Sequence, residues 1–324
     1  MNVLVIWGKF LFLLMVIYIF GTRASKNADV IAKKRGLARA FMGVVFIAMI
    51  TSFPELFTGI SAVTTVNSPD IAIGEILGSC IFNLLIIAII ELVFRKRELY
   101  RLPGKINMLP MGFSLILIAL LTLGLSLQLK LSIFNVGLFP ILIFIFYFIF
   151  MRIIYLERNV EKGEAVYKKE NIKKEVLSFI ICALAIIAVG WYLPKVGAEL
   201  AEAMGWSHSF VGIVFLAFVT SFPELVVSIA AVRMGSVEMF VGNIAGSNLF
   251  NLAIILFIDI FYMKGAVLGS VSALNVPTGI IAVLMSFIIF FAVARQSTYK
   301  IFKIISINAV IIITLYFITL LIIY

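Results

Sequence analysis

Residues Phe41–Leu56 read FMGVVFIAMITSFPEL, and residues Phe210–Leu225 read FVGIVFLAFVTSFPEL. Eleven of the sixteen positions are identical, at a constant spacing of 169. A second block follows each. Gly74–Leu84 is GEILGSCIFNL and Gly242–Leu252 is GNIAGSNLFNL, with seven of eleven positions identical at a spacing of 168. Two blocks that recur together and in the same order mark an internal duplication. The predicted division is a first unit over 1–155, a connecting segment over 156–174 and a second unit over 175–324.

Composition decides which solvent these units face. Hydrophobic residue types make up 63% of the 324 residues and charged types 13%, against roughly 45–50% and about 25% in a soluble domain. A water-soluble fold of this length cannot hide that much apolar surface, so the medium is lipid. The two cysteines, Cys80 and Cys182, each lie in an apolar run and exclude a disulfide scaffold. Apolar stretches long enough to span a bilayer are expected at 3–21, 37–66, 71–94, 107–127, 131–151, 175–193, 209–232, 236–262, 270–294 and 302–323. No small-residue cleavage site follows the first before the basic run Lys33–Arg35, so it reads as a retained helix rather than a signal peptide.

The formal charge of +10 is unevenly spread. Loops after the odd-numbered spans carry 22 of the 26 Lys and Arg residues, and only Lys9, Lys130, Lys195 and Lys264 fall on the other side. That alternation marks the cytoplasmic face and predicts both termini outside, in the cell membrane. It also accounts for the basic balance without nucleic acid. Glu157–Lys174, of mixed charge and without hydrophobic periodicity, reads as a cytoplasmic linker, with a regulatory loop as the sharper alternative.

Span counting sets the relation between the copies. The first block begins in span 2 and its copy in span 7, five crossings later, so the copies enter from opposite faces. The expected fold is therefore all-α and polytopic, with ten transmembrane helices in two inverted-topology repeats of five and breaks in spans 2, 3, 7 and 8.

The repeated blocks carry the chemistry. Proline has no N–H and clashes with the carbonyl four residues back, so Pro54 frees the Ile50 carbonyl and Pro223 that of Val219. Free carbonyls at membrane depth are tolerated where they line a cavity or hold a ligand. Thr51 and Glu55 are four apart, as are Thr220 and Glu224, which directs hydroxyl and carboxylate the same way. In the second blocks Ser79 and Asn83, and Ser247 and Asn251, repeat that spacing beside Gly78 and Gly246, which are expected to loosen the helix. Oxygen donors with two carboxylates suit hard cations such as Ca²⁺ or Na⁺, not zinc or copper. The alternatives are a protonated interhelical hydrogen bond for Glu55 and Glu224, and polar packing for the serines and asparagines. An ionisable group at mid-membrane costs ~2.5 kcal/mol or more, which argues against filler appearing twice. Glu75, matched by Asn243, is either an ion-path residue near the outer mouth or interfacial. Glu91 and Asp259 are expected near helix ends, reaching water, and His208 at an outer helix start.

The duplicated T-S-F-P-E and G-S-x-x-F-N blocks resemble the alpha repeats of the cation/Ca²⁺ exchanger superfamily, most of all its prokaryotic sodium/calcium exchangers. The resemblance covers both repeats and the ten-span layout. It implies that Glu55 and Glu224 are the central Ca²⁺ and Na⁺ ligands and that Thr51 and Thr220 lend carbonyl or hydroxyl oxygens. Ala48 and Ala217 would offer backbone carbonyls to flanking sodium sites, with Ser52, Ser221, Ser79, Asn83, Ser247 and Asn251 completing the set. It further implies alternating access by sliding of spans 1 and 6. Two departures bear on selectivity. Ile50 and Val219 stand where the family usually has Gly, and Asn251 stands where some prokaryotic relatives carry Asp.

The function so implied is a secondary antiporter exchanging Ca²⁺ against Na⁺, both as transported ions with no cofactor and no obligate protein partner. A H⁺-coupled Ca²⁺ antiporter is the alternative, and a carboxylate-lined channel a third class. An enzyme is disfavoured, since the sequence has neither HExxH nor a Ser-His pairing within a helix.

Overall fold

The computed structural model describes residues 2–34, 48–94, 108–158, 171–296, 300–301 and 305–324. The start of expected span 2, the opening of the first repeated block, the basic loop over 95–105 and most of the 156–174 linker lie outside the described residues.

The first half begins with α1 (Val3–Lys34). The short α2 (Ala48–Thr51) and α3 (Phe53–Ser61) follow, and the latter runs on into a π-turn over Ala62–Val66. Asn67, in the left-handed region at φ 58°, stops that turn. Ser68 then caps α4 (Pro69–Val93), its hydroxyl accepting the Ile71 N–H at 3.3 Å, with Pro69 in the first turn where no N–H is needed. α5 (Met108–Leu127), a two-stranded hairpin of β1 (Ser132–Ile133) and β2 (Val136–Gly137), and α6 (Leu138–Arg158) complete it.

The second half repeats the order of long helices and broken span, with its described π-turn before the break and not after it. α7 (Lys173–Met204) ends at Gly205, whose φ is 71°. Next come α8 (His208–Val211), a π-turn over Gly212–Leu216, α9 (Ala217–Thr220) and α10 (Phe222–Arg233). Ser236 caps α11 (Val237–Phe261). α12 (Asn275–Ala294), the hairpin of β3 (Lys300–Ile301) and β4 (Ile305–Ser306), and α13 (Ile307–Ile323) finish the chain.

Seven described helices are long and apolar enough to cross a bilayer. The pair His208–Thr220 and Phe222–Arg233, bent by 44°, makes an eighth, and α13 is a shorter apolar helix. Burial sorts them. Of the most apolar stretch of α4, 83% lies inside the protein, and of α11, 72%; for α1 the share is 22% and for α6 and α7 it is 28%. α4 and α11 are thus the central columns, and α1, α6 and α7 present Leu, Ile and Phe outward, as helices bordering lipid do. α4 packs against α9 and the Gly212–Leu216 turn, while α11 packs against α2 and α3.

The expected breaks in spans 3 and 8 are not there. α4 and α11 are each continuous over 25 residues. Glycine keeps its N–H and has no ring to clash with the preceding turn, so it does not interrupt a helix as proline does. Gly78 serves close approach instead: a Cβ there would stand 2.2 Å from the Ile213 carbonyl oxygen and 2.7 Å from the Ala217 Cβ.

Glu91 and Asp259 do not reach water either, for each is about 1% exposed. Glu91 accepts the Ser306 N–H at 2.7 Å and the Ser306 hydroxyl at 2.8 Å, fixing the turn into α13. Asp259 accepts the Gly137 and Val267 N–H groups, fixing the turn into α6. The two acids are equivalent in the duplication, and each anchors the hairpin of the other half. Hydrogen bonds to a charged group are worth ~1.5–3 kcal/mol each, so Glu91→Ala and Asp259→Ala should each destabilise by about 2 kcal/mol or more. Unfolding temperatures in detergent check this; unchanged melting of both variants would remove the anchoring role.

Candidate cation site at the paired proline breaks

Both breaks have the same local cause. α2 ends at Thr51, Ser52 turns at φ −91° and ψ 12°, and Pro54 sits in the first turn of α3. α9 ends at Thr220, Ser221 turns at φ −84° and ψ 7°, and Pro223 sits in the first turn of α10. Each break leaves a carboxylate, Glu55 or Glu224, in the first turn of a new helix, where backbone N–H groups favour negative charge.

The side chains cross between halves. Ser221 donates to Glu55 Oε1 at 3.2 Å, and Ser52 donates to Glu224 Oε1 at 3.3 Å. The Thr51 and Ser247 hydroxyls lie 3.3 Å apart, and those of Thr220 and Ser79 lie 3.4 Å apart. Ser79 also donates to Glu55 Oε1 at 3.5 Å. The Ala48 carbonyl accepts the Thr51 hydroxyl at 3.1 Å, and the Ala217 carbonyl accepts that of Thr220 at 3.4 Å. Every one of these residues is buried, and Glu55 and Glu224 are fully so. Glu55 lies within electrostatic reach of both Glu224 and Glu75.

The asparagines behave differently. Asn83 donates to Asn248 Oδ1 at 2.9 Å, and Asn248 donates to the Cys80 carbonyl at 3.3 Å. Neither amide atom of Asn251 has a partner. The structure thus gathers ten of the twelve expected residues into two reciprocal hydrogen-bonded sets, one around Glu55 and one around Glu224; Asn83 is joined to Asn248 instead, and Asn251 has no partner.

Glu75, for which the sequence left an ion-path and an interfacial reading open, and its counterpart Asn243 complete the centre. Glu75, fully buried and not at a mouth, accepts the Thr220 hydroxyl through Oε1 at 2.8 Å. Asn243 donates to the Glu224 carbonyl at 3.3 Å and to Ser228 at 3.2 Å. The missed signal was periodic: Glu75, Ser79 and Asn83 are spaced by four and share one face of α4.

Oxygen acceptors exceed the protons available to them. Glu55 Oε2, Glu75 Oε2, Glu224 Oε2, Asn83 Oδ1 and Asn243 Oδ1 are all buried without a hydrogen-bond partner. No described Lys or Arg pairs with any of the three acids. Among the described residues no three His, Cys, Asp or Glu side chains converge as a metal cage. A cation held here would take hydroxyl, amide and backbone oxygens beside the carboxylates, which is hard-cation chemistry. Buried polar atoms are rarely left unsatisfied in a native fold.

Lipid-length helices around a buried oxygen-rich centre define an integral membrane transporter. The chain matches the sodium/calcium exchanger protein family over residues 5–156 and 174–324 and belongs to it. It is 28% identical over 254 residues to the membrane protein MJ0091 of Methanocaldococcus jannaschii, covering 75% of this chain and 77% of that one. It is 27% identical over 271 residues to the sodium/calcium exchanger MaX1 of Methanosarcina acetivorans, covering 71% and 75% respectively. Its fold is similar to that of the sodium-calcium exchanger NCX_Mj, with a TM-score of 0.64 and 22% identity over 99% of both chains.

The crossed serines give a direct check. Removing one hydroxyl that restrains a carboxylate costs about 1 kcal/mol, or about fivefold in affinity. Ser52→Ala and Ser221→Ala should therefore weaken cation binding to similar extents by calorimetry. A response to only one of them would contradict their equivalence.

Proposed function

We propose that the chain exchanges Ca²⁺ against Na⁺ by alternating access at a mid-membrane site centred on Glu55 and Glu224. One observation carries this reading: two fully buried carboxylates, each restrained by a serine of the opposite half and each with a free oxygen. Two such acids neutralise one Ca²⁺ or two Na⁺, so the loaded site crosses without a large uncompensated charge. Thr51, Ser52, Ser79, Thr220, Ser221 and Ser247, with the carbonyls of Ala48 and Ala217, are the remaining ligands in this reading, and Asn83 and Asn251 are the outermost. The ions are cargo, and the bilayer is the only other partner invoked.

The same reading holds that ten spans form two inverted repeats, 1–155 and 175–324, joined by a cytoplasmic 156–174 linker. Both termini then face outside, in the cell membrane. The reciprocal Ser–Glu and Thr–Ser contacts support it, because a pseudo-two-fold axis returns every contact with the halves exchanged. The 22-to-4 split of basic residues supports the orientation.

A moving part is also indicated. α1 lies along α7, joined by Lys9–Glu199 and Lys34–Glu175 ion pairs, each of 3.0 Å, and by an Asn27–Ser178 hydrogen bond of 2.9 Å. This pair rides on the two breaks through equivalent glycines. A Cβ on Gly21 would stand 2.6 Å from Pro223 Cγ, and one on Gly190 would stand 3.2 Å from the Pro54 carbonyl oxygen. Bare backbone at both bearings lets α1 and α7 slide as one unit past the breaks.

In proteoliposomes an outward Na⁺ gradient should drive Ca²⁺ uptake, and Glu55→Gln or Glu224→Gln should abolish it while leaving the protein folded. Uptake that ignores Na⁺ and follows pH alone would replace Na⁺ by H⁺ as the coupling ion. Ca²⁺ flux that requires no counter-ion would identify a channel. Gly21→Leu and Gly190→Leu should slow exchange about tenfold or more while leaving Ca²⁺ binding within about threefold, because the bulk blocks sliding and not liganding. Wild-type exchange rates in both glycine variants would remove the bearing role.

A further inference from the structure

Glu75 is the one acid of the buried centre that the duplication does not repeat, since Asn243 holds the equivalent place. The two positions are used in opposite senses. Asn243 commits its Nδ2 protons to the Glu224 carbonyl and Ser228. Glu75, as a carboxylate, supplies only acceptors.

Those acceptors meet a shortage of protons. The single Thr220 hydroxyl proton is shared among Glu75 Oε1 at 2.8 Å, the Leu216 carbonyl at 3.1 Å and the Ala217 carbonyl at 3.4 Å. The Ser79 oxygen stands 3.4 Å from Thr220 with its proton within reach of Glu55. Glu75 Oε2, fully buried, has no partner. Hydroxyl geometry cannot fill such a nest, because one proton serves one acceptor well. A small hard cation can, since it binds several oxygens at once. Five residues toward the start of α4, or about 7.5 Å along it, half-buried Asp70 gathers Ser209, the Ser272 N–H and Asn275. The carboxylates of α4 thus continue from the centre to the helix end.

We propose that Glu75 is a further cation ligand: beside Glu55, Thr220 and Ser79 it adds a third carboxylate to the centre, which the other half, with Asn243 at the equivalent place, lacks. This rests on reading the centre as a cation-exchange site. Three carboxylates admit three Na⁺ at neutrality where two admit two, so the Na⁺-loaded state depends on Glu75 more than the Ca²⁺-loaded state does.

The test is calorimetric titration of the purified full-length chain with Na⁺ and, separately, with Ca²⁺. Glu75→Gln should raise the half-saturating Na⁺ concentration about tenfold or more and flatten the Na⁺ curve, while shifting Ca²⁺ by less than about threefold. Glu75→Asn, which installs the residue the second copy already buries at this place, should do the same if the glutamine variant fails to fold. A Na⁺ curve superimposable on wild type in either variant overturns the assignment and leaves the two-glutamate reading intact. Wild-type protein that saturates with neither ion overturns both.

Discussion

Two carboxylates buried among apolar helices, with no described cationic side chain to answer them, set the terms for the rest of the structure. In so poor a solvent they need donors that bring no charge and still leave lone pairs open. Hydroxyls fit that requirement. The serines at the two breaks reach across to the opposite acid, so each half completes the other. The breaks follow from the same need: an unbroken helix uses all its carbonyls internally, whereas a proline one turn on releases one and starts a fresh N-terminus at the acid.

Exchange of contacts between halves recurs at increasing distance from this centre. Ser52 and Ser221 trade acids, and Thr51 and Thr220 trade serines. Farther out, Gly21 and Gly190 lie against the prolines of the opposite half, while Glu91 and Asp259 hold each other's hairpins. Lipid supplies no hydrophobic drive to press helices together, so close packing on small residues and buried hydrogen bonds carry the assembly.

Much of this was legible in the chain. Proline is local chemistry, so the breaks at Thr51 and Thr220 could be placed from sequence, and with them the acids and hydroxyls in register. Gly78 and Gly246 were misread because a glycine allows either a loosened helix or a close neighbour; the nearness of Ile213 to Gly78 decides for the latter. Glu91 and Asp259 looked like helix-end residues reaching water because Ser306 and Gly137 are distant in sequence and because these partners, with Val267, offer mostly backbone N–H groups, which leave no residue-type signature. Glu75 stayed between an ion-path and an interfacial reading for a different cause. Attention to what the copies share hides a residue that only one copy has.

The sequence by itself determined that the chain is a lipid-embedded duplication, where its helices break, and which oxygens those breaks present, because hydropathy, repeat identity and proline sterics act within a few residues of one another. Tertiary structure alone decided which half each hydroxyl serves, that α4 and α11 stay continuous at the centre, and that a third acid joins them. Those outcomes depend on helices meeting across long stretches of chain, where the distance between an oxygen and its neighbour is set by packing and not by residue order.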